Sequence, residues 1–115
     1  MQVNDPRQNC LIAALPAEDY ARIAPALELV PIPLGQALYE PGMHMRYAYF
    51  PIDAVVSLLC VMEDGASAEI AVVGNEGIVG VSLFMGGETT PSMAVVQGGG
   101  HAYRMKSKVL KDQFL

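Results

Sequence analysis

Apolar residues along this chain follow two periods, first helical and then strand-like. Tyr20, Ile23, Ala24 and Leu27 recur at the i, i+3, i+4, i+7 spacing of one buried helical face. The segment "PAEDYARIAPALEL" from Pro16 therefore predicts a helix, with Glu18 and Asp19 in its first turn, where the backbone dipole favours negative charge. Pro25 interrupts that pattern, so a kink or an early end is expected there. Upstream, "DPRQNCLIAALP" predicts another helix, with Asp5 as its N-cap and Pro6 at its first position.

From Val30 the texture changes. Prolines flank short apolar runs in "VPIPLGQALYEPG", and Pro41-Gly42 marks a turn. Tyr47–Phe50 and Ala54–Met62 read as strands. Asp64-Gly65 stands between apolar runs at hairpin spacing, so 54–62 and 66–73 are expected to pair antiparallel. Ser92–Gln97 and His101–Met105 form a second hairpin candidate around Gly98-Gly99-Gly100. Ser107 is positioned to cap a last helix, "SKVLKDQFL", with Leu110 and Phe114 on one face. Several short strands with helices only at the ends predict a small antiparallel barrel or jelly roll.

Composition narrows the picture. With 115 residues, of which 52% are apolar, the chain is read as one globular domain. Cys10 and Cys60 allow at most one disulfide and fit no C-x-x-C pair or metal cluster; buried, reduced thiols are expected. There is no signal-peptide pattern and no apolar run of membrane-spanning length, so a soluble cytoplasmic protein is expected. Net charge is −5, and four of the seven basic residues (Arg104, Lys106, Lys108 and Lys111) crowd the C-terminal end. That tail reads as a solvated helix face. Between Arg46 and Arg104 there is no Lys or Arg, a poor balance for neutralising a nucleic-acid backbone.

Catalytic signals are weak. Ser57, Ser67, Ser82 and Ser92 lack a nucleophile elbow, and Glu69 and Glu76 read as ordinary solvated carboxylates. Glu40, His44 and His101 are the residues a cupin-type metal site would have to bring together; no metal site and no catalytic residue is assigned. The methionines read as gap-filling core, with an adaptable apolar pocket as the alternative.

The order of elements, with particular residues in place, resembles the cyclic-nucleotide-binding domain of Crp/Fnr-type transcription regulators. "LGQALYEPGMHMRYAYFPIDAVVSLL" carries the first half of the likeness, through Gly35, Leu38, Gly42, Tyr49, Phe50 and Val55-Val56; Ala54 stands where that family usually has Gly. "GIVGVSLFMGG" and "SMAVVQ" carry the second half, the phosphate-binding cassette. The resemblance implies a mainly β fold, an antiparallel β-roll or jelly roll with short flanking helices. Its parts would be N-terminal helices over 1–29, the roll over 30–105 and the start of a C-terminal helix over 106–115.

The same resemblance places the cassette at Gly77, Gly80, Val81, Ser82, Ser92 and Met93, and it exposes a departure. Family members carry Gly-Glu for the ribose hydroxyl and Arg followed by Ser or Thr for the cyclic phosphate. Here Val81 follows Gly80, and Ser92 and Met93 occupy the arginine and hydroxyl positions. No cofactor is expected, and cAMP binding least of all. The expected partner is a small-molecule effector of another kind. No nucleic acid is expected on this chain alone, because it has no helix-turn-helix candidate and ends where the family's long helix begins. No membrane partner is expected; a homodimer would depend on an extended C-terminal helix. The reading is thus a non-catalytic sensory domain, the alternatives being a cupin-like metalloenzyme or a ligand-free interaction scaffold.

Overall fold

Two proline-bearing strands flank a central one in the first of two antiparallel sheets. The computed structural model describes residues 5–39, 46–80 and 92–114. Its strands are β1 (Glu28–Ile32), β2 (Ala37–Tyr39), β3 (Tyr47–Pro51), β4 (Val55–Val61), β5 (Ser67–Val73), β6 (Ser92–Gly98) and β7 (Gly100–Lys106). One sheet has the order β1-β7-β3 and the other β2-β6-β4-β5. Pro31 in β1 and Pro51 in β3 lie on the outer strands of the first sheet, where a missing N–H costs no ladder bond on the solvent side. The architecture is the mainly antiparallel β-roll that the resemblance implied.

Helices occupy the two ends. A 3-10 turn at Pro6–Gln8 is capped by Asp5, α1 spans Cys10–Ala13, α2 spans Ala17–Ile23, and α3 spans Ser107–Phe114. The single helix expected from Asp5 is broken at Asn9, whose backbone is extended (φ −83°, ψ 127°). Its side-chain oxygen accepts from the N–H groups of Leu11 and Ile12, which starts α1 afresh. The second helix ends at Ile23 and passes through a 3-10 turn, Ala24–Ala26, containing Pro25. That early stop frees the next residues for pairing, so the first strand starts at Glu28, two residues before the expected change of texture.

The hairpin at Asp64-Gly65 forms. Val61 pairs with Ser67, the Met62 N–H donates to the Ala66 carbonyl (2.7 Å), and the Asp64 carboxylate accepts from the Ala66 N–H (2.9 Å). The second expected hairpin does not. β6 and β7 lie in different sheets, and Gly98-Gly99-Gly100 carries the chain from one to the other. None of these three glycines has positive φ. They serve close approach instead: a Cβ on Gly100 would lie 2.9 Å from the Asp53 carbonyl group, and one on Gly99 would lie 3.0 Å from the Leu34 nitrogen.

The core joins both sheets to the helices. Ile32, Ala48, Val56, Ala94, Val96, Ala102 and Met105 are buried from the sheets, and Ile12, Ile23 and Leu110 from the helices. Each of the larger side chains contributes about 1.5–3 kcal/mol by leaving water. Two expectations about burial fail. Cys10 is free but exposed, because the break at Asn9 turns it outward at the start of α1, and Cys60 is free and half-buried. The basic tail is only partly helical: Arg104 and Lys106 belong to β7, since strand pairing with β3 runs as far as Tyr47–Lys106.

Candidate functional site

The cassette opens on a tight turn built by its own side chain and backbone. Glu76 accepts from the Gly74 N–H (3.0 Å), and the Gly77 N–H donates to the Gly74 carbonyl (3.2 Å). The Gly74 N–H, with Glu76's own backbone N–H, holds the Glu76 carboxyl below the usual glutamate range. Val79 then exchanges two backbone hydrogen bonds with Tyr49 of β3, at 2.8 and 2.9 Å. Gly80 follows in the left-handed region (φ +117°), and a Cβ there would lie 3.3 Å from the Ala48 Cα. Both observations call for glycine at 80.

Asn9 fixes this turn to the rest of the molecule. Its side-chain nitrogen donates to the Gly77 carbonyl (2.8 Å) and the Pro51 carbonyl (2.9 Å), and the residue is fully buried. The Cys10 N–H adds a bond to the Asn75 carbonyl (2.6 Å). Sequence reasoning missed Asn9. An Asn inside a helical run carries a signal for a cap, but none for carbonyl partners 42 and 68 residues away.

The cassette closes on the other sheet. Ser92 is the first residue of β6 and pairs with Cys60, and half-buried Met93 pairs with Leu59. The structure thus groups Gly77 and Gly80 against β3 and puts Ser92 and Met93 on β6. No strand pairing or hydrogen bond among the described residues joins the two groups. Val81 and Ser82 lie outside the described residues, as do Glu40 and His44. His101 sits beside Asp53, Nδ1 to Oδ2 3.6 Å, and no metal-binding group of three side chains occurs among the described residues.

The strands of the second sheet carry little charge. β2, β4 and β6 have none, and β5 has only Glu69. Register puts the apolar residues Val56, Leu58, Ala94 and Val96 on one face. Ser57 and Gln97 are on the other face, where the Ser57 hydroxyl donates to Glu69 (2.7 Å) and lies 2.6 Å from the Gln97 side-chain oxygen. Glu69, expected to be simply solvated, is therefore tied to a buried hydroxyl. The Ser57 hydroxyl has no histidine partner among the described residues.

This geometry is that of an antiparallel β-roll. A glycine-built turn is clamped on one sheet, the chain returns through the middle of the other, and no catalytic constellation is assembled among the described residues. Residues 29–115 match the family model of the cyclic nucleotide-binding domain, and the chain belongs to that family.

Solved structures share the fold. The sensor domain of the transcriptional regulator DNR from Pseudomonas aeruginosa is 16% identical with a TM-score of 0.75, the match covering 90% of this chain and 69% of DNR's. The c-di-GMP-responsive global regulator CLP of Xanthomonas campestris is 18% identical, TM-score 0.72, with 86% of this chain and 48% of CLP covered. A regulatory subunit of a cAMP-independent protein kinase A from Trypanosoma brucei, a triple mutant bound to cAMP, is 14% identical, TM-score 0.78, with 90% and 38% covered. This chain thus spans less than half the length of the last two. No curated protein matches. The family and these neighbours are regulatory domains rather than enzymes, and no helix among the described residues is long and apolar enough to cross a membrane.

Proposed function

We propose that this chain is the sensory domain of a Crp/Fnr-type regulator whose cassette has lost the chemistry for cAMP. The reading rests on one observation: from Tyr47 to Tyr103, which includes the whole cassette and the strands framing it, there is no Lys or Arg. Val81 stands at the ribose-binding carboxylate position and Ser92 at the phosphate-binding arginine position. A hydrogen bond to a charged partner contributes about 1.5–3 kcal/mol. Losing both contacts weakens binding by roughly 3–6 kcal/mol, or two to four decades. The effector is then a small molecule that needs neither contact, and DNA reading falls to parts outside these residues.

Two of the relatives agree with such a change of ligand. CLP is c-di-GMP-responsive, and the trypanosome subunit named as cAMP-independent is bound to cAMP in a form whose three substitutions include an arginine in place of a threonine.

The test is a calorimetric titration with cAMP of the wild-type chain and of the Val81→Glu, Ser92→Arg double variant. We expect no measurable heat from the wild type and saturable binding by the variant. Micromolar binding by the wild type would sink the proposal.

A further inference from the structure

We propose that the end of the three-stranded sheet carries a second site, for a small phosphate-bearing molecule, separate from the cassette. The chain has seven basic residues and a net charge of −5. Four of the seven nevertheless meet at one place. Strand pairing sets Tyr47 opposite Lys106 and Tyr49 opposite Arg104, and the Ser107 N–H donates to the Arg46 carbonyl (2.8 Å), which starts α3 beside the first residues of β3. Arg46, Arg104, Lys106 and Lys108 are thereby gathered, though the sequence separates Arg46 from the others by more than fifty positions.

Arg104 is already engaged. Its Nε donates to Glu28 (2.6 Å), and its guanidinium lies 4.1 Å from the centre of the Tyr47 ring. Arg46, Lys106 and Lys108 have no ion pair or hydrogen-bonded side-chain partner among the described residues. Together with Tyr47 and Ser107 they line a hollow of about 250 Å³. A neighbouring hollow of about 340 Å³ shares Tyr47 and Lys106 and is walled by Ala26, Val109, Glu28 and Arg104.

The chemistry of the two hollows differs in a useful way. The first collects three cations, unpaired among the described residues, and a hydroxyl, which together complement a phosphate dianion. The second is partly apolar, and its Glu28 carboxylate disfavours a second anionic group. A phosphate monoester with an uncharged, partly apolar body fits both at once. A nucleic-acid duplex fits poorly: it would bring further phosphates toward Glu28, and few cations are available to neutralise them. The Ser107 N–H is already bonded, so recognition falls to the side chains.

The experiment is amide-correlation NMR of the labelled chain titrated with phenyl phosphate at constant ionic strength, with chloride and sulfate as controls. Expected are saturable shifts at residues 46, 47 and 104–108 with none along β6. The Lys106→Gln, Lys108→Gln double variant should bind at least tenfold more weakly, with an unchanged spectrum elsewhere. Arg46→Gln provides an independent second variant with the same expected direction. Shifts that do not saturate, that chloride or sulfate reproduces, or that fall on β6 would overturn the site, as would binding of only duplex DNA or an acidic peptide.

Discussion

At Asp64-Gly65 the chain reverses within one sheet, whereas at Gly98–Gly100 it leaves one sheet for the other. Both segments place glycine between two strand-like runs. They use glycine for opposite reasons. Gly65 has φ +88° and nothing within 4 Å of where its Cβ would be. Gly100 has no positive φ, yet its Cβ would lie 2.5 Å from the Asp53 Oδ1 and 2.9 Å from the Asp53 backbone carbon and oxygen. One glycine answers backbone conformation and the other answers crowding. A sequence pattern reports the first kind, because turn chemistry is local. It is silent on the second, because Asp53 lies 47 positions away from Gly100.

The largest effect expected from this contrast is at the crossing. Gly100→Ala should destabilise the protein by about 3 kcal/mol, since backbone on the opposing side cannot move as a side-chain end can. For a chain of this size that corresponds to a fall in Tm of about 10 °C, read by thermal unfolding. The double variant Gly100→Ala, Asp53→Ala sharpens the point. It removes the Oδ1 contact and the bond that the His101 N–H donates to that oxygen, but leaves the carbonyl clash, so most of the loss should persist. Full recovery would show that the crowding is only a side-chain matter.

Gly65→Ala should cost less, about 1–2 kcal/mol, and entirely through backbone strain. Gly65→Asn should recover part of it, because Asn tolerates the left-handed region, whereas Gly100→Asn should be worse than Gly100→Ala. Equal responses of the two positions to Ala and Asn would erase the distinction.

Legibility followed the same division. The strands Tyr47–Pro51, Val55–Val61 and Ser67–Val73, the hairpin joining the last two, and the early end of α2 at Pro25 were all readable from nearby residues. The crossing at Gly98–Gly100, the break at Asn9 and the extension of the last strand to Lys106 were not. Each is decided by a partner distant in sequence: Asp53, then Pro51 and Gly77, then Tyr47. At the candidate site, glycine at 80 answers a positive φ and a close approach to Ala48, while the Ser57–Glu69–Gln97 group had no local signal at all. The gathering of four cations belongs with these long-range features, because it required knowing that β3 and β7 pair.

The smallest effect concerns the turn that opens the cassette, a third glycine-bearing connection. Here the device is electrostatic: Glu76, fully exposed, accepts backbone N–H bonds that lower its pKa. A group whose folded pKa is depressed contributes stability above its unfolded value and loses it as pH falls through the folded value. The acid limb of the stability curve should therefore contain a Glu76 component, present at neutral pH and lost on acidification. Glu76→Gln should flatten that limb slightly and leave stability above neutrality with no further pH dependence from this position. Urea unfolding midpoints for wild type and variant, measured across the acid range, give the comparison. If the two curves run parallel, the carboxylate's charge contributes nothing to the turn, and Gly74–Gly77 is held by backbone bonding and Asn9 alone.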